Sequence, residues 1–284
     1  MSQVKLSELL QQDCGTYAVG AFNVHTTEFI QGVVNAAQET GQPVILMIAE
    51  GVLRYGRIEI LGAAALGAAR MSKVPVAVMV DHGKEIPLLK KALQAGMDVM
   101  YDGSALPFQE NVENTRYMVE LAHSLGRCVE GEIGALGLSE DGEEEREQKL
   151  TTVEEAVQFY RETGVDVLAV SVGNVHGFYR GEAKIDLERA AQIAEALNPL
   201  PVVMHGGSDI PEETVRAAVR AGIRKYNIAT DLKQAYADKM RQLAAQEPQL
   251  IQPWELFPPL AKAVQEVTER KIRLLAEPAK QFHF

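Results

Sequence analysis

The chain has 284 residues, 46% hydrophobic and 24% charged, a globular composition with enough length for one large domain or two ordinary ones. Its formal net charge of -11 argues against nucleic acid or an anionic membrane as a partner, since like charges repel over a Debye length of about 10 Å. No apolar run approaches the ~18 residues of a membrane span, MSQVKLSELLQQD lacks the apolar block of a secretion signal, and Cys14 and Cys128 show no ligand spacing, so free thiols in a reducing, cytoplasmic setting are expected.

Short runs rich in Val, Ile and Met alternate with longer amphipathic stretches along the whole chain. In chain order, strands are expected at YAVGAFNV, PVILMIA, VPVAVMVD, MDVMYDG, RCVEGEIG, VDVLAVSV, LPVVMH and IRKYNIA. Most are continuously apolar, the pattern of parallel strands covered on both faces. Helices are expected over Glu28 to Gly41, Ile86 to Gly96, Phe108 to Gly126, Val153 to Gly164, Leu187 to Leu197 and Pro211 to Gly222. Several close on glycine, and the last opens on Pro211 followed by two glutamates, the usual stop and start signals. EDGEEERE, residues 140–147, reads as a solvated loop, and IQPWELFPPL followed by AKAVQEVTERKIRLLAE as an extra C-terminal helix. Eight strands alternating with helices predict a (β/α)8 TIM barrel, α/β in class, that occupies residues 1–284 as a single domain. A doubly wound sheet is the competing architecture, but no G-x-G-x-x-G follows the first strand.

A barrel of this kind carries its active site at the C-terminal ends of the strands. His82 ends the third strand, His176 follows the sixth and His205 ends the seventh, while Asn23, Asp102, Glu130, Glu132 and Asn227 hold comparable places on others. His123, in a helical stretch, and His283, in the tail, read as surface residues; His25 is undecided. A lone histidine is usually structural, but three at one barrel mouth form the ligand set of a catalytic zinc, with cobalt or iron as substitutes. Such an ion polarises a carbonyl oxygen. HGGS, residues 205–208, leading into the Pro211 helix, reads either as a tight turn or as a set of backbone donors for an anion. NIATD, with Asn227 and Thr230, adds donors on the next strand, where these barrels commonly hold phosphate. Asp81 directly precedes His82, so strand alternation separates the two side chains unless the strand ends between them. It reads as either a partner of a metal ligand or a general acid/base.

The motifs YAVGAFNVHTTE, PVIL, DHG, DGSALPFQENV, VEGEIG, VGNVHGFYRGEAKID, MHGGSDIP and KYNIATDL, in that order, resemble the class II, zinc-dependent ketose-bisphosphate aldolases, the family of fructose- and tagatose-1,6-bisphosphate aldolases. The likeness covers essentially the whole chain. It implies reversible cleavage of a ketose 1,6-bisphosphate to dihydroxyacetone phosphate and glyceraldehyde 3-phosphate. It further implies His82, His176 and His205 as zinc ligands, Asp81 as the group that moves the C4 hydroxyl proton, and Glu132 with Asp102 at an alternative metal position. Glu140 matches the acid that exchanges the C1 proton of dihydroxyacetone phosphate. Asn23, Gly177, Gly206, Gly207, Ser208, Asn227 and Thr230 match the substrate site; Arg180 stands where a lysine is frequent, and Lys233 at a basic position facing the distal phosphate.

Three departures bear on specificity. Ala49 replaces a serine near the substrate, Leu138 replaces the second glycine of a G-G-x-E-D loop, and Ala229 stands where strict fructose enzymes have an acidic residue, which tilts the reading towards tagatose. The resemblance implies a homodimer or homotetramer, and leaves open a monovalent cation, Na+ or K+, near the phosphate loops. Three other readings stand beside it: an aldolase for another ketose 1-phosphate, a Schiff-base aldolase using Lys225, and a catalytically silent barrel that binds sugar phosphate or supports a partner subunit.

Overall fold

The structure, a computed structural model, describes residues 2–10, 17–135, 149–177 and 184–276. Each expected strand is present: β1 (Val19–Asn23), β2 (Val44–Ala49), β3 (Val76–Gly83), β4 (Asp98–Tyr101), β5 (Val129–Ile133), β6 (Val167–Val170), β7 (Val202–Met204) and β8 (Ile223–Ile228). They pair in parallel and in sequence order, and β8 closes on β1 to complete the barrel. Around it run α1 (Leu6–Leu10), α2 (Thr27–Thr40), α3 (Glu50–Gly56), a π-helical turn (Arg57–Gly62), α4 (Ala63–Met71), α5 (Ile86–Ala95), α6 (Phe108–Ser124), α7 (Val153–Thr163), α8 (Leu187–Leu197), α9 (Glu212–Arg220), α10 (Thr230–Gln246) and α11 (Pro253–Ala276).

The apolar strands divide by parity. On β2, Val44, Leu46 and Ile48 face the helices, whereas Ile45 and Met47 face the bore. The same alternation fills the bore with Val19, Ala21, Ala77, Met79, Met100, Cys128, Val167, Ala169 and Val203. α1 plugs the N-terminal end, where Leu6, Leu9 and Leu10 join this inner cluster, each worth on the order of 1.5–3 kcal/mol when fully buried. The plug is anchored by Asp98, whose carboxylate accepts from Leu6 N–H at 2.7 Å and from Cys128 N–H at 3.0 Å. With that end sealed, the C-terminal mouth is left for chemistry.

α1 and α10 add to the expected helices, and two further features depart from the expected elements. The Ala- and Gly-rich stretch between β2 and β3 folds into α3, the π turn and α4, because its low side-chain contrast hides a face that nevertheless buries Leu53, Leu61, Ala65, Leu66 and Ala69. α11 starts at Pro253 and runs through Pro258 and Pro259. Both lie in the second turn, where each proline forgoes an i−4 hydrogen bond and its ring crowds the carbonyl of i−4. α11 lies against α2 so closely that a Cβ on Gly32 would stand 2.6 Å from the Ala261 carbonyl oxygen. An ion pair of 2.6 Å between Lys271 and Asp231 ties it to α10.

Burial, opposed by its two N–H donors, raises the Asp98 carboxyl from 3.8 to about 6. An acid held higher in the folded than in the unfolded chain stabilises the fold when protonated, so this contribution is complete below about pH 4 and is lost as pH rises through about 6. Relative to the non-titrating Asp98→Asn variant, wild-type unfolding free energy should fall by on the order of 2–3 kcal/mol between about pH 4 and pH 7 in urea titrations. A difference that stays constant across that window would refute the assignment.

Candidate active site

Parity also explains the mouth, since bore-facing positions turn from apolar to polar as each strand reaches its C-terminal end. Asn23 follows Ala21, Asp81 follows Met79, and Glu130 and Glu132 follow Cys128; on β8 the polar run begins earlier, at Lys225 before Asn227. His82 breaks the alternation. It adopts φ 48, a left-handed conformation rare for a residue with a side chain, and the β3–β4 register shifts between Val80 and Gly83. The kink turns His82 inward immediately after Asp81, so both side chains reach the mouth. Just beyond, buried Glu50 accepts from the N–H groups of Lys84 at 2.6 Å and Glu85 at 2.8 Å, which fixes the turn leaving His82.

His82, His176 and His205 come together: one ring nitrogen of each lies within 4.8 Å of the others. His82 Nδ1 faces Asp102 Oδ2 at 3.0 Å and Glu132 Oε2 at 3.5 Å. His205 Nε2 faces Glu130 Oε1 at 2.9 Å. With a carboxylate behind each ring, the hydrogens belong on those nitrogens, leaving lone pairs on His82 Nε2 and His205 Nδ1, which stand 3.0 Å apart. Two lone pairs at that distance need a proton or a metal ion at their junction, and with His176 beside them they form a donor set that fits a metal. His82, Asp102 and Glu132 form a second such group, also within 4.8 Å.

Burial first, then His82, pushes the His176 and His205 pKa values well below that of an ordinary imidazole, so both rings are neutral at pH 7. Burial also works on Asp81, upward, but His82, His205, Lys225 and the Asn23 hydrogen bond outweigh it and hold the carboxylate below its usual range. Asp102 is likewise lowered: burial pushes it up, but the hydrogen bond and charge of His82, with Ser104 and Lys84, together outweigh that. Glu132 moves the other way, raised well above an ordinary carboxylate by burial and then by the neighbouring Asp102 charge. Asp81 is thus an ionised base, gripped by Asn23 Nδ2 at 2.8 Å and Asn227 Nδ2 at 3.4 Å.

A cleft opens beside Asp81 and His176, lined by Asn23, Gly177, Gly206, Gly207, Ser208, Asn227, Ala229, Thr230 and Lys233. Every described residue expected at the substrate site is there; Arg180, Glu140 and Leu138 lie outside the described residues. Two details differ from expectation. The Gly207 N–H is committed to the Asn227 carbonyl at 2.8 Å, so it is no free donor. The helix start bordering the cleft is that of α10, through Ala229 and Thr230, rather than that of α9; buried Ser208 braces it by accepting from Asp231 N–H at 3.2 Å.

The glycine pair therefore has a packing role as well. Gly206 sits at φ 63, and a Cβ there would fall on the Val175 carbonyl, in the loop that carries His176. The same loop is pinned by buried Asn174, which donates to the His205 carbonyl at 3.0 Å and accepts from Val172 N–H at 2.8 Å. Glu50 and Asn174 escape the sequence reading; Glu50 directly follows the apolar run of β2, whereas Asn174 lies four residues beyond β6 and carries no such signal. His123 is half-exposed and pairs with Asp166, as a surface histidine does, and His25 packs on Phe29 outside the imidazole cluster. Lys225 has no exposed surface and is engaged by Glu130 and Asn227, so its amine does not present itself to a carbonyl substrate.

The family model for class II fructose-bisphosphate aldolase matches residues 4–280. The chain belongs to this family. It is a class II aldolase, a carbon–carbon lyase. Similar sequences include the sulfofructosephosphate aldolase of Alkalicoccus urumqiensis, 39% identical over 82% of each chain. The fructose-bisphosphate aldolase of Thermus caldophilus is 37% identical over 91% of this chain and 92% of its own. Among solved structures, the YdjI aldolase of Escherichia coli K12 superposes with a TM-score of 0.86 at 31% identity, covering 98% of this aldolase and 99% of the other chain.

Gly206→Ala should both strain the turn, at a cost on the order of 1–3 kcal/mol, and displace the His176 loop. Thermal unfolding and metal content after gel filtration should therefore fall together. Wild-type stability with full metal would show that the close approach is dispensable.

Proposed function

We propose that this aldolase is zinc-dependent and cleaves a ketose 1,6-bisphosphate reversibly to dihydroxyacetone phosphate and glyceraldehyde 3-phosphate. The reading is carried by one observation: three imidazoles converge beside an ionised, buried Asp81 at the edge of a cleft lined by glycines and a helix start. His82, His176 and His205 would hold the zinc, with Asp102 and Glu132 around the alternative position. Zinc bound there supplies Lewis-acid polarisation of the substrate carbonyl.

Asp81 takes the proton of the C4 hydroxyl in the cleavage direction, the C3–C4 bond breaks, and the aldehyde product departs. Asn23 and Asn227 keep the Asp81 oxygens aimed into the cleft while it does so. Glu140 returns a proton to the carbon that becomes C1 of dihydroxyacetone phosphate, a role that rests on the motif resemblance. The phosphate on that product belongs between Gly177, Gly206, Ser208 and the start of α10 at Thr230, where a helix N-terminus favours an anion. Arg180 and Lys233 supply positive charge, Lys233 towards the distal end of the substrate.

Ala229 lines the cleft without adding an acid, which favours tagatose over fructose bisphosphate. The similarity to a sulfofructosephosphate aldolase makes a sulfonated ketose phosphate the second substrate to try. A homodimer or homotetramer in the cytoplasm is proposed with it; no helix among the described residues is long and apolar enough to cross a membrane.

His205→Ala should lose metal and cleavage together, whereas Asp81→Ala should keep its metal and lose cleavage by at least about 100-fold. Metal analysis and a coupled assay on tagatose bisphosphate, fructose bisphosphate and sulfofructose phosphate, run on the same samples, test both. An active His205→Ala enzyme without metal, or wild-type activity that resists chelators and is trapped by borohydride with substrate, would sink the proposal.

A further inference from the structure

Beneath the imidazoles, the bore contains a feature that the reaction does not itself call for. Glu130 of β5 and Lys225 of β8 are both fully buried and form an ion pair of 2.8 Å. Their strands are not neighbours in the barrel, so the pair crosses the bore. Side chains near it on the inner cluster are apolar, Met100, Val167 and Ala169 among them. A buried pair of this kind costs several kcal/mol per ion in desolvation, and a hydrophobic pair of similar volume often stabilises a fold as well or better. Its presence is better explained by what it orients.

Each partner reaches a functional group with its remaining capacity. Glu130 Oε1 lies 2.9 Å from His205 Nε2, while Lys225 Nζ donates to Asn227 Oδ1 at 2.7 Å. Asn227 in turn offers Nδ2 to Asp81. A carboxylate only accepts and an ammonium only donates, so neither contact is reversible. Glu130 assigns the hydrogen of His205 to Nε2 and leaves Nδ1 to face His82. Lys225 assigns the oxygen of Asn227 to itself and leaves the amide NH2 to face Asp81.

We propose that Lys225 and Glu130 are positioning residues: their ion pair sets the His205 tautomer that binds metal and the Asn227 orientation that aims Asp81. This rests on the metal assignment proposed above. The pair makes a specific prediction about rescue. In Glu130→Gln, the new amide must give its only oxygen to Lys225, because its NH2 cannot face an ammonium. The NH2 then meets His205 Nε2, forces the hydrogen onto Nδ1, and removes the metal-binding lone pair. Removing the ammonium as well, in Glu130→Gln/Lys225→Met, frees the amide oxygen to accept from His205 again.

Chelator competition with zinc and the visible spectrum of the cobalt-loaded protein read this directly, with thermal unfolding of each metal-stripped variant as a check on folding. Glu130→Gln should bind metal about 10–100-fold more weakly than wild type. The double variant should recover to within about tenfold and regain the cobalt spectrum, yet keep a lowered kcat with little change in KM, because Asn227 has lost its donor. A double variant that binds metal as weakly as Glu130→Gln, or more weakly, overturns the proposal, as does a Glu130→Gln protein with wild-type affinity. If His205→Ala binds cobalt as tightly as wild type, the metal assignment itself fails and this proposal falls with it.

Discussion

Alternate residues of every strand must point into a closed bore, and whatever polar groups land there must satisfy one another. That constraint governs the mouth of this barrel. Glu130, Lys225, Asn227, Asp81 and Asn23 form a continuous run of contacts from strand to strand, and each has few freedoms left once its neighbours are placed. Burial makes an unpaired member expensive, so geometry and protonation are settled jointly. The orientation of the imidazoles follows from the same logic, since carboxylates behind His82 and His205 decide which nitrogen of each ring carries the hydrogen.

Against that regular background, the departures from regular strand geometry are where the chemistry sits. A strictly alternating β3 would send His82 to the helix layer; its left-handed backbone brings it beside Asp81 instead. A conformation of that kind costs on the order of 1–3 kcal/mol and survives because surrounding contacts over-determine it. Glu50 holds the turn after it, and Asn174 with Gly206 hold the loop of His176 against the end of β7. Three imidazoles from one strand kink, one loop and one strand end are thereby held together, with Glu50 and Asn174 acting from outside the cleft lining.

Much of this was legible in the residues because it is local. Continuous apolar runs foretold eight parallel strands, and polar residues at their ends marked the mouth, so His82, His176, His205, Asp81 and the cleft around Gly206 to Ser208 fell where expected. Legibility failed where local contrast is weak or misleading. Glu50 to Met71 carries too few polar residues to show a helical face, and Pro258 with Pro259 disguises the early turns of α11. Lys225 was visible as a strand lysine, but its burial against Glu130 was not, because the two are nearly a hundred positions apart in the chain and meet only across the bore.

The sequence by itself determined the barrel, the order of its strands and the chemical types gathered at one end, since hydrophobic parity and strand-end polarity are properties of neighbouring residues. Tertiary structure alone decided which ring nitrogens of His82 and His205 face a carboxylate, that Asp81 and His82 share a face, and that Gly207 spends its N–H on Asn227. Those outcomes depend on partners brought in from other strands and on one backbone torsion. No pattern along the chain encodes a distance across the bore, and it is that distance which selects the proton, the rotamer and the lone pair.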